Sequence, residues 1–130
     1  MRPIKPLVVI INGAGGVGKD TICSVLRDHF KTCTYSSIAP IKRIAREIGW
    51  EGEKTNRDRK MLSDLKDICI RYNDLPFKYM QEKLEEVRAY KIDVVIFHIR
   101  EPQEIAKFRQ YAKEQGHTCK TLLIRSKRRD

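Results

Sequence analysis

Residues 8–21 read VVIINGAGGVGKDT, and the fold turns on how this stretch is parsed. Gly13, Gly15 and Gly18 spell G-x-G-x-x-G, the fingerprint of a dinucleotide-binding turn. Gly13, Gly18 and Lys19 spell G-x-x-x-x-G-K, the opening of a phosphate-binding P-loop, with Asp20 where Ser or Thr is usual. The two patterns demand different surroundings. A dinucleotide site needs an acid at the end of the second strand, about 20 residues past the glycines, to hold the ribose hydroxyls. Here the second predicted strand ends in Ser36-Ser37, and Asp28 falls too early, inside the first helix. A P-loop needs a strand before it, a helix after it and a Lys at the junction. Residues 7–12 form a short apolar run, and residues 19–31 place Ile22, Val25, Leu26 and Phe30 on one helical face. The P-loop parse passes the test that the dinucleotide parse fails.

Outward from the loop, residues 32–37 (TCTYSS) are β-prone and read as a short strand. Pro40 opens a helix with Ile41, Ile44, Ala45 and Ile48 on one face, stopped near Gly49, and residues 50–56 read as loop. Two helices follow. Residues 57–72 align Met61, Leu65, Ile68 and Tyr72, and residues 75–89 align Phe77, Met80, Leu84 and Val87, with Asp74 expected as the cap between them. Residues 92–99 (IDVVIFHI) form a second fully apolar strand. Glu101 and Pro102 start a helix that ends at Gly116, with Ile105, Phe108 and Ala112 inward and Glu104 in a capping role. Residues 120–125 (KTLLIR) make the last strand. The order is β-α-β, a helical excursion, then β-α-β. It predicts an α/β protein with a mainly parallel sheet, one domain over residues 1–130, with a core of 7–37 and 92–130 and an excursion of 38–91.

Bulk properties limit the partners. The chain has 130 residues, the size of one domain, and its net charge of +10 suits a polyanionic ligand. The longest apolar run is far short of a membrane span, and the N-terminus lacks a signal-peptide pattern, so a cytoplasmic protein with no membrane partner is expected. Cys23, Cys33, Cys69 and Cys119 are widely spaced and read as reduced thiols in or near the core, not as a zinc or disulfide set. The five tyrosines form no ladder among basic residues, and no recognition-helix pattern appears, so nucleic acid is not the expected partner.

The loop carries the chemistry. Gly13, Gly15, Gly16 and Gly18, with Ala14 and Val17 between them, let successive backbone N–H groups converge on phosphate oxygens. The helix that begins near Lys19 aims its positive dipole end at the same anion, and Lys19 reaches the β- and γ-phosphates of ATP. Thr21 supplies the hydroxyl for Mg²⁺ or the α-phosphate. Asp20 either meets the ion through water or benefits from the helix N-terminus.

The string GKDT resembles the P-loop of the phage-type deoxynucleoside monophosphate kinases, and that of animal phosphomevalonate kinases. Pro40 and Lys42 match the segment after the second strand in the deoxynucleotide group, and residues 57–62 (RDRKML) are similar to its arginine-bearing helix. Residues 95–104 (VIFHIREPQE) are similar to its strand motif Asp-x-Arg-x-Pro-x-Glu through Arg100, Pro102 and Glu104. His98 departs from it, standing where the family pattern has Asp. The resemblance implies a three-layer P-loop NTPase fold with ATP and Mg²⁺ as cofactors. It also implies a small phosphorylated acceptor, a nucleoside or deoxynucleoside monophosphate before phosphomevalonate. After residue 125 it implies a lid, a further strand and a final helix. Their place is taken here by SKRRD, which leaves three alternatives: a truncated form, a second copy of the chain completing the fold, or a nucleotide-binding module without kinase activity.

Phosphoryl transfer needs alignment of two phosphates and positive charge between them. Lys42, Arg46, Arg57 and Arg59 on the excursion are the expected acceptor ligands, the competing reading being a solvated basic face. Arg100, just past a central strand, and Arg125 and Arg128, in a basic terminal run, join Lys19 as the expected catalytic cations.

Overall fold

Two uninterrupted apolar runs make the centre of a parallel sheet. In the computed structural model, which describes residues 5–13 and 19–124, they are β1 (Leu7–Gly13) and β3 (Val94–His98). With β2 (Thr32–Ser36) and β4 (Cys119–Ile124) they form four strands in the order β2-β3-β1-β4, every pairing parallel. A strand with neighbours on both edges and helices on both faces has no polar side to show. Val8, Ile10, Val95, Ile96 and Phe97 are accordingly all buried to completion. The helices are α1 (Lys19–His29), α2 (Ala39–Glu47), α3 (Asn56–Asn73), α4 (Leu75–Val87) and α5 (Pro102–Glu114).

Strand order dictates which face each helix covers. The chain moves one way across the sheet from β1 to β2, and the opposite way from β2 to β3 and from β3 to β4. Right-handed crossovers that travel in opposite directions lie on opposite faces. The packing agrees. Cys23 of α1, with half-buried Ile22 and Leu26, closes over Val9, Ile11, Val94 and Ile96. On the other face, Met80, Leu84 and Val87 of α4 and Phe108 and Ala112 of α5 close over Val8, Ile10, Val95 and Phe97. Phe97 and Phe108 meet ring to ring at 4.5 Å between centroids. The segment between β2 and β3 therefore holds two kinds of helix: α4 belongs to the layer under the sheet, while α2 and α3 project from it.

Helix ends follow local chemistry. Gly49 (φ +110°) and Gly116 (φ +87°) stand just past α2 and α5. Beyond each glycine the chain turns back into the helix it has left: Trp50 N–H donates to the Ala45 carbonyl at 2.9 Å, and His117 N–H to that of Ala112 at 3.0 Å. Such left-handed exits favour glycine because it has no Cβ to clash. Thr55 and Asp58 form a reciprocal capping box at the start of α3. Those bonds from Thr55 hold the Asp58 carboxyl below its ordinary range.

Several expectations about helix faces and caps change. Val25, Phe30, Ile48, Ile68 and Tyr72 are exposed, the last by 85%. Their periodicity marks a face correctly, but α1 covers only the middle of the sheet and α3 buries no residue fully. Asp74 precedes α4 with a left-handed backbone and makes no side-chain cap; its carboxylate pairs with Lys107 on α5 instead. Glu104 likewise caps nothing at α5, because it is engaged by α3. Among the four cysteines, Cys23 and Cys119 are buried and Cys33 and Cys69 half-buried. No helix among the described residues is long and apolar enough to cross a membrane.

Candidate functional site

Because all four strands run the same way, their C-terminal ends share one edge. β1 and β3 are neighbours whose chains depart in opposite directions, β1 toward β2 and β3 toward β4. Their ends splay the connections apart and leave a crevice, the usual ligand position in open α/β sheets. Gly13 closes β1 at this edge, and α1 then opens with Lys19 at its first position. The glycine stretch thus connects a central strand to a helix N-terminus, where the first four N–H groups have no partner within the helix and the dipole end is positive. Ala14, Gly15, Gly16, Val17 and Gly18 lie outside the described residues, as do the side chains of Lys19 and Asp20 and the terminal Arg125 and Arg128. Thr21 is exposed in the first turn of α1.

The floor of the crevice is set by β3. His98 pairs in register with Ile11 on one side and Ser36 on the other. It is half-buried, its Nε2 3.9 Å from the Cys23 thiol of α1. That contact ties the end of β3 to α1. Arg100 leaves the same strand end two residues later and is exposed at the edge where Gly13 ends.

Over this edge α3 is tied by a contact that sequence reasoning missed. Lys66 Nζ lies 3.3 Å from Glu104 Oε2, with side chains only 17% and 18% exposed. The other carboxylate oxygen, Oε1, is buried without a hydrogen-bond partner among the described residues. Glu104 sits in the first turn of α5, just beyond Arg100, so the pair brings the middle of α3 to the C-terminal edge of the sheet. At about 100° per residue, Arg59 lies within roughly 20° of Lys66 on the helix surface. Arg59 is exposed and projects from the same side of α3 as Lys66, two turns nearer its N-terminus. Nothing in the sequence singles out Lys66 from other lysines; only its ion pair with Glu104 of α5 does.

Two of the remaining acceptor candidates lie around a residue that the sequence places in a loop. Lys42, half-buried, and Arg46, exposed, stand one turn apart on α2. The Arg46 guanidinium lies 5.1 Å from the Trp50 ring centroid. Trp50 donates its indole N–H to the Glu53 carbonyl at 2.8 Å. Ile48, Trp50, Glu53, Arg57 and Met61 line a cleft of about 590 Å³ between the end of α2 and the start of α3. Two of the four predicted cations, Arg46 and Arg57, are thus brought together around Trp50, while Arg59 belongs to the α5-facing side.

No group of three His, Cys, Asp or Glu side chains that could hold a metal ion occurs among the described residues. The donor set expected for Mg²⁺, Thr21 with Asp20, has a different character: it counts on phosphate oxygens to complete the coordination. No protein-family model matches the chain, and no curated protein sequence matches it either.

Proposed function

We propose that the chain is an ATP-dependent phosphotransferase of the P-loop type, acting on a small phosphorylated acceptor. The observation that carries this reading is the junction itself. A G-x-x-x-x-G-K sequence connects the central strand of an all-parallel sheet to a helix whose first residue is the motif's lysine. The backbone amides of residues 13–18 and the α1 N-terminus would cradle the ATP phosphates, and Lys19 would neutralise the β- and γ-oxygens. Mg²⁺, held by Thr21 and through water by Asp20, would supply charge neutralisation at the transferred group. Arg100 stands at the same edge, and Arg59 would reach toward it from the Lys66 side of α3.

The preferred acceptor is a nucleoside or deoxynucleoside monophosphate, supported by the resemblance of residues 38–42, 57–62 and 95–104 to that kinase group. The test is incubation with Mg-ATP and a panel of nucleoside and deoxynucleoside monophosphates plus phosphomevalonate. Products are resolved by mass spectrometry beside a Lys19→Ala control. Lysine-dependent phosphorylation of one acceptor is the expected result. Retention of ATP without transfer to any acceptor would favour the second reading, a nucleotide-binding module, which the His98 departure motivates.

A further inference from the structure

We infer that the cleft around Trp50 is the base-recognition subsite, in which the planar ring of a nucleoside 5′-monophosphate packs against the indole with its phosphate drawn by Arg57. The inference rests on the acceptor reading above and adds the residue that would tell a nucleotide from an aliphatic phosphate. A half-exposed tryptophan in a loop is ordinarily mobile, but here every handle is tied. The amide of Trp50 is bonded into the α2 exit and its indole N–H is satisfied by Glu53. The Arg46 guanidinium sits above the ring, and the capping box of Thr55 and Asp58 fixes the other end of the loop. A ring held this way forms an apolar platform that loses little conformational freedom when a ligand arrives.

The surroundings match a nucleotide in both of its halves. Exposed Ile48 and half-buried Met61 extend the apolar surface of the platform, and exposed Arg57 supplies the fork geometry that suits phosphate. Glu53 lines the same cleft, and a carboxylate there accepts hydrogen bonds from the ring N–H and amino groups that bases carry. Base–aromatic packing is worth about 1–3 kcal/mol per base, or roughly a 5- to 150-fold change in affinity.

Trp50 is the only tryptophan in the chain, so its fluorescence reports on this cleft alone. The full chain is titrated, without ATP, with each nucleoside and deoxynucleoside 5′-monophosphate and with ribose 5-phosphate, exciting on the red edge where nucleotides are transparent. Saturable quenching by at least one nucleotide is expected, weakened about tenfold or more in Arg57→Ala, and absent with ribose 5-phosphate. For the non-fluorescent Trp50→Leu variant, equilibrium dialysis of that nucleotide reads the loss, expected at fivefold or more. A Trp50 signal that no nucleotide perturbs, or a Trp50→Leu variant that binds with wild-type affinity, would overturn the inference. The titration needs no turnover, so its failure is separable from that of the kinase reading. Transfer to an acceptor with an unresponsive Trp50 would leave the phosphotransferase standing and remove the subsite.

Discussion

His117 shows how a single buried side chain makes stability depend on pH. Its ring is 4% exposed, Nδ1 donates to the Pro6 carbonyl at 3.0 Å, and Nε2 has no hydrogen-bond partner among the described residues. Burial therefore lowers its pKa below the ordinary 6.5. A depressed pKa means that the unfolded chain takes up the proton first as pH falls. The stabilisation is complete above pH 6.5 and is lost as pH drops through the folded-state value. His117→Asn keeps a donor for Pro6 and does not titrate. Urea midpoints measured from pH 8 to pH 5 should fall more steeply for the wild type than for this variant; parallel curves would contradict the assignment. Residue-level chemistry of this kind was only partly legible. Cys23 could be assigned to the core from its apolar neighbours, but the tie of Lys66 to Glu104 joins segments far apart in sequence, and no local pattern encodes it.

At the scale of elements, α3 is the informative case. It buries no residue fully: half-buried Met61, Leu65 and Cys69 lie along a helix that packs on α2 and α4, and one ion pair ties it to α5. Removing the N-cap hydroxyl in Thr55→Ala should cost about 1 kcal/mol in urea unfolding. Lys66→Met leaves a largely buried carboxylate without its cation and should cost about 1–3 kcal/mol, with much of the loss recovered when Glu104→Gln is added. A purely additive double mutant would show that the pair does not hold α3. Gly49→Ala forces a Cβ into a left-handed exit and should cost about 1 kcal/mol while shifting the emission of Trp50. The glycine stops, the two apolar strands and the Pro-initiated helices could be read directly because each is a local signal. Exposure of Ile68 and Tyr72 could not, since periodicity names a face without saying whether another element covers it.

For the molecule as a whole, the sheet order β2-β3-β1-β4 sets which strand ends flank the junction of β1 and α1. Reversal of chain direction between β1 and β3 opens the crevice, and the parallel strands deliver Gly13 and Arg100 to one edge. The sheet core beneath is the support for that geometry. Phe97 and Phe108 are wholly buried against each other, so Phe108→Ala should cost about 3–5 kcal/mol by urea unfolding; a loss under about 1 kcal/mol would mean the α5 layer is not packed as described. The α/β class and parallel sheet follow from alternating apolar runs and amphipathic segments. The division of α2–α4 into two projecting helices and one core helix emerges only from packing.

The central claim is that residues 13–19 hold the phosphates of ATP rather than a dinucleotide. Titration calorimetry of the intact chain with Mg-ATP and, separately, with NAD tests it directly. The account predicts binding of Mg-ATP that weakens by about tenfold or more in Lys19→Ala, and no binding of NAD. Binding of NAD, or affinity for ATP indifferent to Lys19, would contradict it.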